Sequence, residues 1–453
     1  MSFGLGAPPT ADELRRRRQR LLEQLPPDAL VLLRGAVPGV ASRRFRQSNE
    51  FYYLVGIEVP GAYLLLDART GRSSVYLPHR NERRERSEGQ ILACEDAGHV
   101  LELTGVLSVA GPEQLPLDLA SILFGSSRPT FVPHAPVEGA ATSRDSALAS
   151  AAWQAVDPLC AIGSDEAALI DGLARHFPRC EVRDLSPILD TLRLHKSPYE
   201  LEQMRIAARI CGEATLEAMR STAVGVYEYE LEAVANFVFR QNGAVGAGYE
   251  AIVAGGRNAW HGHYNANDAP LCDGDLVLMD YAPDYRYYTS DIGRMWPVNG
   301  RYTDEQRQLY GFVLAYHGEL LARIRPGATA TGILEDAAAA MRDALGQMEF
   351  SKDIHRAACE RAIDFPGHLS HPVGMSVHDV GTYAQLTFEP GLVFSVDPMI
   401  WVPEEKLYVR VEDTVAVSAE GVENLTGFVP LELDDVEAAM QEPGLLQLWD
   451  ARA

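Results

Sequence analysis

Acidic residues stand at the ends of two apolar, strand-like stretches. The run Leu276–Met279 leads into Asp280, and a turn predicted at residues 283–286 lies midway between Asp280 and Asp291. If the hairpin closes at that turn, the two carboxylates face each other with Cβ atoms roughly 5 Å apart. Two carboxylates at that separation repel each other, so we expect a proton or a cation between them.

A second hairpin repeats this arrangement downstream. Residues Leu392–Val396 lead into Asp397, residues Leu407–Val411 lead into Glu412, and a turn at residues 403–405 lies midway between the two acids. One such hairpin, taken alone, is most simply read as a pair of solvated strand acids. Two hairpins of the same design favour four carboxylates that converge on metal.

Histidines and one arginine lie close to these hairpins in the sequence. His371 is the candidate metal ligand, and His263 and His378 are nearby candidates, although a lone histidine in a glycine-rich loop is more often structural. Arg410 shares a strand face with Glu412, so it would orient a ligand carboxylate, with a plain salt bridge as the alternative.

Four carboxylates and one histidine form an oxygen-rich set of donors. Such a set is typical of a site for a divalent ion such as manganese and is not typical of a thiolate-type zinc site. Two ions roughly 3.5–4 Å apart can hold one water molecule and make it a nucleophile near neutral pH. The residue types therefore predict metal-assisted hydrolysis.

The elements that must position these residues form a second domain, predicted from residue 183 to residue 453. Ser197 to Glu200 is a capping box with proline at the first helical position, and it predicts a helix with one buried face. A second helix is predicted over about 229–241, and the two-helix pattern recurs at 303–324 and 330–345. Two similar α+β halves would place a site on the axis between them.

The first 182 residues predict a separate α/β domain. An amphipathic helix is expected over about 11–25, with its arginines on a solvated face. Apolar runs typical of strands follow at 29–33, 51–55, 62–66, 74–77 and 130–132, and helical patterns are found near 114–124 and 143–153. Strands that alternate with helices favour an α/β architecture.

The composition excludes several classes of function. The chain has 453 residues and a net charge of −23, which argues against nucleic acid or anionic lipid as a partner. No apolar run approaches the ~20 residues that a membrane-spanning helix needs. The N-terminal residues predict no signal peptide, and six scattered cysteines without a CxxC pair indicate a reducing, cytoplasmic location.

At this point the motifs match a family. The chain resembles the aminopeptidase P and prolidase group, which are metallopeptidases of the pita-bread (creatinase/aminopeptidase) fold that cleave bonds next to proline. The C-terminal motifs that carry the resemblance are Asp275–Asp280, Ser290–Ile292 with Arg294, His263–Tyr264, His371, Val377–Gly381, Glu389–Gly391 and Arg410–Asp413. Residues Phe45–Leu54 and Gly56 resemble the accessory domain of aminopeptidase P, so the likeness spans nearly the whole chain.

The resemblance implies an Xaa-Pro aminopeptidase with two divalent ions, expected to be manganese, with zinc or cobalt as alternatives. The implied ligands are Asp280, Asp291, His371, Asp397 and Glu412. A hydroxide that bridges the metals would attack the scissile carbonyl, while His263, His378 and Arg410 would serve catalysis by binding substrate, moving protons and orienting a ligand. The resemblance also implies a homodimer or homotetramer that acts on proline-containing peptides.

Two departures from the family pattern leave alternatives open. The family has glutamate where this chain has Asp397, whose carboxylate is retracted by over ~1 Å, whereas metal distances tolerate only ~0.2 Å. The family often has a histidine where this chain has Gly367, with His368 one place later. The alternatives are an Xaa-Pro dipeptidase (prolidase), a creatinase-like hydrolase that works without metal, and a non-catalytic or weakly active relative.

Overall fold

The computed structural model describes residues 7–37, 44–157, 159 and 164–450. These residues divide into two compact units, one ending at Arg193 and the other beginning at Leu194. The division lies after the predicted boundary at residues 182 and 183. The first unit extends further because it includes an edge strand, Glu181–Asp184, and most of the helix that follows it.

The first unit is built on a mixed sheet flanked by helices. Its strands lie in the order β4-β3-β2-β1-β5-β6, with β1/β2 and β2/β3 antiparallel and the other neighbours parallel. The strands are β1 (Leu30–Arg34), β2 (Tyr63–Asp67), β3 (Arg72–Tyr76), β4 (Ser108–Ala110), β5 (Pro129–Val132) and β6 (Glu181–Asp184). The helices are α1 (Ala11–Glu23), α2 (Asn49–Val55), α3 (Glu82–Glu88), α4 (Ala97–Thr104), α5 (Gln114–Leu123), α6 (Arg144–Val156), α7 (Asp165–His176) and α8 (Ser186–Leu194).

Two expectations for this unit are wrong. The run Phe51–Val55 is part of helix α2 and not a strand. Every side chain of the run is buried, so the run lacks the alternation that distinguishes a strand, and Gly56 ends the helix with φ 74°. The arginines of α1 are also not all solvated, because Arg17 and Arg18 are buried and donate hydrogen bonds to carbonyl groups of other segments.

The second unit contains two equivalent halves, as predicted. Its strands are β7 (Gly246–Ala247), β8 (Ile252–Gly255), β9 (Leu276–Asp280), β10 (Pro283–Asp284), β11 (Ile292–Pro297), β12 (Leu369–Pro372), β13 (Val393–Val396), β14 (Met399–Val402), β15 (Leu407–Arg410), β16 (Glu412–Val417) and β17 (Val422–Asn424). The main sheet has the order β12-β13-β16-β11-β9-β8, with β17 paired to β16. The three strands on one side of the β11/β16 junction therefore mirror the three on the other side.

Helices cover the sheet of the second unit. They are α9 (Pro198–Ser221), α10 (Glu228–Gln241), α11 (Asp304–Leu321), α12 (Ala330–Leu345), α13 (Asp353–Ile363), α14 (Leu433–Ala439) and α15 (Leu445–Asp450). Helix α9 begins with the predicted capping box, in which the Ser197 side chain accepts from the Glu200 N–H and the Glu200 side chain accepts from the Ser197 N–H. None of the helices in the described part of the chain is both long and apolar enough to span a membrane.

Candidate metal centre

The first acid hairpin closes one residue later than the sequence predicts. Strands β9 and β11 pair so that Asp280 lies opposite Gly293, and Asp291 precedes Gly293 by two residues. The tight turn is formed by Arg286 and Tyr287, which have φ 52° and 73°. Moving the turn centre by one residue shifts the pairing by two, so Asp280 and Asp291 are diagonal neighbours on one face and not directly opposite each other.

The second acid hairpin has the predicted register. Val396 pairs with Asp413 in the main sheet, and Met399 pairs with Arg410 in the β14/β15 ribbon. Both pairings have the same centre, so Asp397 lies opposite Glu412. The peptide N–H of Asp397 donates to the carbonyl oxygen of His368 at 2.8 Å.

The junction of β11 and β16 brings the two hairpins together. Gly293 pairs with Glu412 across the junction. Donor atoms of Asp291, His371 and Glu412 consequently lie within 4.8 Å of one another. His371 Nε2 is 3.3 Å from Asp291 Oδ2, while its Nδ1 lies 3.2 Å from the carbonyl oxygen of Pro372, a contact that leaves Nε2 facing the acids.

Arg410 lies among the carboxylates. Its guanidinium contacts Asp280, lies 2.8 Å from Glu412 Oε2 and lies 3.5 Å from Asp397 Oδ1. Gly293 leaves the space for this arrangement, because a Cβ atom there would come within 3.0 Å of Arg410 Nε. The predicted contact between Arg410 and the acid on its own strand is present, together with two contacts that its position in the sequence does not indicate.

Tyr249 and Ser395 support the acids and are missing from the predicted set. The Tyr249 hydroxyl donates to Asp280 Oδ1 at 2.7 Å and to Asp291 Oδ1 at 3.0 Å. Ser395 Oγ donates to Glu412 Oε1 at 2.5 Å. Ser395 precedes Asp397 by two residues, so strand alternation could have placed both on one face. Tyr249 lies in the segment before β8, and no local pattern connects it to the acids.

Burial makes this group of carboxylates electrostatically unfavourable unless cations or protons balance it. Burial and the neighbouring carboxylates, Glu412 first among them, raise the pKa values of Asp291 and Asp397 well above the usual range for aspartate. Arg410 contacts three of the four acids and contributes one positive charge, which leaves three formal negative charges uncompensated (four minus one) when all four acids are ionised. Asp397 Oδ1 and Glu412 Oε2 are buried without a hydrogen-bond partner. This donor set fits divalent cations.

A second layer of charge holds the β11/β16 junction. Arg294 is fully buried and donates to the carbonyl oxygen of Glu412 at 2.6 Å and to Asp413 Oδ1 at 2.6 Å. Despite burial, Arg294 and the adjacent His317 lower the pKa of Asp413, which stays ionised. Glu412 and Asp413 therefore face opposite sides of β16, the first toward the acids and the second toward Arg294.

The remaining histidines differ in their positions. The ring of His378 lies 4.0 Å from the ring of His371, and the ring of His263 lies 6.2 Å from that of His378, measured between ring centroids. His263 is exposed and His378 is partly exposed, so both rings are accessible beside the buried acids. His378 and His263 thus extend outward from His371 in a row.

His368 does not replace the histidine that the family often has at position 367. Its ring is buried against Tyr316 and Phe365, and its Nε2 lies 2.6 Å from the carbonyl oxygen of Ala362. Burial lowers its pKa to about 4. A side chain at position 367 would meet the Phe365 ring, since a Cβ atom there would come within 2.5 Å of Phe365 Cε1.

Two known proteins match the chain over nearly its whole length. The chain is 31% identical to the Xaa-Pro aminopeptidase of Escherichia coli over 450 residues, covering 94% of this chain and 97% of that protein. It is 30% identical to the Xaa-Pro aminopeptidase of Haemophilus influenzae over 452 residues, covering 95% of this chain and 97% of that protein. The chain belongs to the Xaa-Pro aminopeptidase family.

Family models and solved structures extend the family assignment to both units. Residues 202–419 match metallopeptidase family M24, and residues 14–129 match the aminopeptidase P N-terminal domain. The structure described as zinc-substituted E. coli aminopeptidase P in complex with product has a TM-score of 0.76 and 29% identity, covering 96% of this chain and 99% of that one. The predicted accessory domain and pita-bread fold of the family are confirmed.

Proposed function

We propose that this protein is a metal-dependent Xaa-Pro aminopeptidase that removes the N-terminal residue from peptides with proline in second position. The observation that carries the proposal is similarity to two Xaa-Pro aminopeptidases over nearly the full length of both chains. The likeness covers the accessory domain as well as the catalytic domain, which supports the aminopeptidase over the creatinase-like alternative.

The proposed ligands for two divalent ions are Asp280, Asp291, His371, Asp397 and Glu412. Support comes from the buried acids that converge at the β11/β16 junction and from the uncompensated negative charge there. Manganese is the proposed metal, because the set is dominated by oxygen donors. Bound there, the ions would supply Lewis acidity toward the scissile carbonyl and would lower the pKa of water.

The protein's own residues would prepare the site in three ways. Arg410 and the Tyr249 hydroxyl would fix the orientation of the acids, since each contacts more than one of them. His263 and His378 would bind the substrate and move protons, because both imidazoles are accessible next to His371. A peptidase dedicated to Xaa-Pro bonds is also chemically reasonable, because the tertiary amide at proline lacks the N–H group that other peptide bonds have.

The short side chain of Asp397 affects the affinity of the proposed site for the second ion. This side chain is one methylene shorter than the glutamate of the family pattern, and its buried Oδ1 accepts no hydrogen bond among the described residues. The peptide N–H of Asp397 donates to the carbonyl oxygen of His368, and this hydrogen bond restrains the backbone at Asp397. This restraint keeps the weakly active alternative in the test below.

The test is the turnover of an Ala-Pro-Ala tripeptide beside an Ala-Pro dipeptide by protein loaded with excess manganese. We expect the tripeptide to lose its first alanine, Asp291→Asn to abolish turnover, and Asp275→Asn to retain it. Asp275 is the matched control because it lies directly before β9 and outside the group of acids. Cleavage of the dipeptide alone would move the assignment to a dipeptidase. Failure to cleave either peptide with manganese, zinc or cobalt would refute peptidase activity on these substrates.

Three finer expectations stay predictions: manganese as the native metal, assembly as a homodimer or homotetramer, and a cytoplasmic location. Metal analysis of the protein purified without added ions would test the first. Light scattering in solution would test the second, and fractionation of the source cells would test the third.

A further inference from the structure

A second group of metal-type donors lies in the first unit. His79 Nδ1 is 2.7 Å from Glu95 Oε1 and 3.2 Å from Cys94 Sγ. Donor atoms of His79, Cys94 and Glu95 all lie within 4.8 Å of one another. The group combines one sulfur, one nitrogen and one oxygen donor, a mixture that ordinary surface ion pairs do not contain.

The backbone holds these donors together where two parallel strands end. Strands β3 and β4 pair in parallel, and the Leu77 N–H donates to the carbonyl oxygen of Ala110 at 3.0 Å. His79 lies three residues after the last residue of β3. The Cys94 N–H donates to the carbonyl oxygen of Pro78 at 3.1 Å. This hydrogen bond brings the segment that contains Cys94 and Glu95 beside His79. The carboxyl ends of parallel strands are common ligand sites in α/β folds.

Glu95 is fixed by a further contact. Its Oε2 accepts from the peptide N–H of Arg80 at 3.0 Å, which leaves Oε1 on the side of His79. One oxygen of the carboxylate is therefore held by the backbone while the other faces the imidazole and the thiol. An anchored carboxylate loses less conformational entropy when it binds an ion than a freely rotating one does.

Glu113 supplies the outer contact that metal-binding histidines use. The loop after β4 carries Glu113, whose Oε2 lies 3.1 Å from His79 Nε2 on the opposite side of the ring. A metal-ligating histidine commonly donates its second ring N–H to a carboxylate, which fixes the tautomer and raises the basicity of the ligating nitrogen. With an ion bound and Nε2–H donated to Glu113, the Nδ1 lone pair of His79 would point toward the ion, on the side of Cys94 and Glu95.

A bound cation would take the place of two protons. A metal competes with protons for the imidazole nitrogen and for the thiolate sulfur. Binding would release the Nδ1 proton and the thiol proton to solvent and form metal–nitrogen and metal–sulfur bonds, so affinity would increase with pH.

We infer that His79, Cys94 and Glu95 bind a zinc-class divalent ion, supported by Glu113 behind the histidine. Thiolate, imidazole and carboxylate together suit zinc, whereas manganese and magnesium prefer oxygen donors. The side chains of His79 and Glu95 are 58% and 45% exposed, so the ion would be reached from solvent and water would complete its coordination. The ion would tie the residues that follow β3 to the segment that precedes α4.

Cobalt(II) is a suitable probe because a thiolate–cobalt bond gives intense near-ultraviolet absorption, which oxygen and nitrogen donors do not. Among the described cysteines, Cys211 interacts electrostatically with Asp291 and Asp280, but its thiol is fully buried and donates to the carbonyl oxygen of Tyr281 at 3.5 Å. Cobalt bound to those acids would therefore not produce the thiolate band. We expect the full-length protein to show the band on addition of cobalt, and zinc to displace it.

Three variants test the assignment of the band. Cys94→Ser should abolish the band and reduce the zinc content at saturation by one ion per chain, and His79→Ala should do the same. Cys272→Ser is the matched control, because Cys272 is the exposed cysteine of the second unit and should leave both values unchanged. Circular dichroism at matched concentration would identify a variant that fails to fold.

Glu113→Gln separates a metal site from a group of ion pairs. We expect this variant to keep the cobalt band but to bind zinc roughly tenfold to a hundredfold more weakly, as the loss of such an outer contact typically does. Glu102→Gln is its control, since Glu102 is an exposed glutamate 4.0 Å from His99 without a cysteine beside it. A band that survives Cys94→Ser, or no band in the wild-type protein with excess cobalt, would overturn the inference.

Discussion

Removal of the Tyr249 hydroxyl should weaken metal binding without removing a ligand. The phenol carries one proton but contacts two carboxylate oxygens, at 2.7 Å on Asp280 and 3.0 Å on Asp291. A hydrogen bond to a charged group contributes about 1.5–3 kcal/mol. If the hydrogen bond of the Tyr249 hydroxyl only positions the metal ligands, its loss weakens metal binding by the same free energy. Since 1.4 kcal/mol corresponds to a factor of ten, Tyr249→Phe should bind manganese roughly tenfold to a hundredfold more weakly.

The assay is calorimetric titration of metal-free protein with manganese, followed by tripeptide turnover at saturating manganese. We expect most of the turnover to return at saturation, because phenylalanine keeps the ring that packs edge-on against Tyr281 at a centroid distance of 6.2 Å. Tyr281→Phe is the matched control. It also loses a phenol hydrogen bond, which is partly buried and runs 2.9 Å to Asn236, but that hydroxyl does not contact the acids.

Two results would refute this reasoning about Tyr249. Unchanged manganese affinity in Tyr249→Phe would mean that the hydroxyl does not orient the acids. An equal loss of affinity in Tyr281→Phe would mean that the effect comes from general loosening of the aromatic pair. Loss of turnover that manganese cannot restore would instead assign the hydroxyl a direct part in the reaction.

Three further predictions concern the segment from residue 365 to residue 397. His368 has a pKa of about 4, below its unfolded value of 6.5, so the unfolded chain binds the extra proton and acid destabilises the fold between those values. His368→Gln should therefore flatten the fall in the melting temperature of metal-free protein between pH 6.5 and 4, an effect of at most about 3 kcal/mol; an unchanged slope would contradict it. Asp397→Asn should reduce turnover at limiting manganese by more than the roughly hundredfold cost of a lost supporting contact, and atomic absorption should find less metal bound; full occupancy would count against Asp397 as a ligand. Gly367→His should lower the melting temperature through a clash with Phe365, costing about 1–3 kcal/mol, and Phe365→Ala in the same chain should relieve it; equal melting of the single and double variants would disprove the clash.

The second acid hairpin was predictable because its local signals and its register agree. Proline and two glutamates mark the turn at residues 403–405, and the pairing of Met399 with Arg410 is centred there. In the first hairpin, the strongest turn signals are Pro283 and Asp284. The chain instead turns at Arg286 and Tyr287, two residue types that rarely adopt the left-handed conformation they have here.

Side chains that approach the acids from distant segments could not be predicted. Tyr249 reaches Asp280 across thirty-one positions of sequence, and Arg410 reaches the same aspartate across one hundred and thirty. Sequence spacing identifies neighbours on one strand, such as Arg410 and Glu412, but not partners that the sheet order brings together. The burial of Arg17 and Arg18 was missed for the same reason, since their carbonyl partners lie on other elements.

The β13/β16 and β14/β15 pairings are centred on the same turn. The number of residues in that turn therefore cannot change without shifting both pairings. A single residue inserted at the turn around Pro403 would move the pairing partner of Asp397 by one position, and Glu412 would then point to the opposite face of the sheet. Short insertions and deletions in this turn should therefore be as damaging as replacing a ligand. A library that varies loop length would find this turn intolerant, even though Pro403 and Glu404 are exposed.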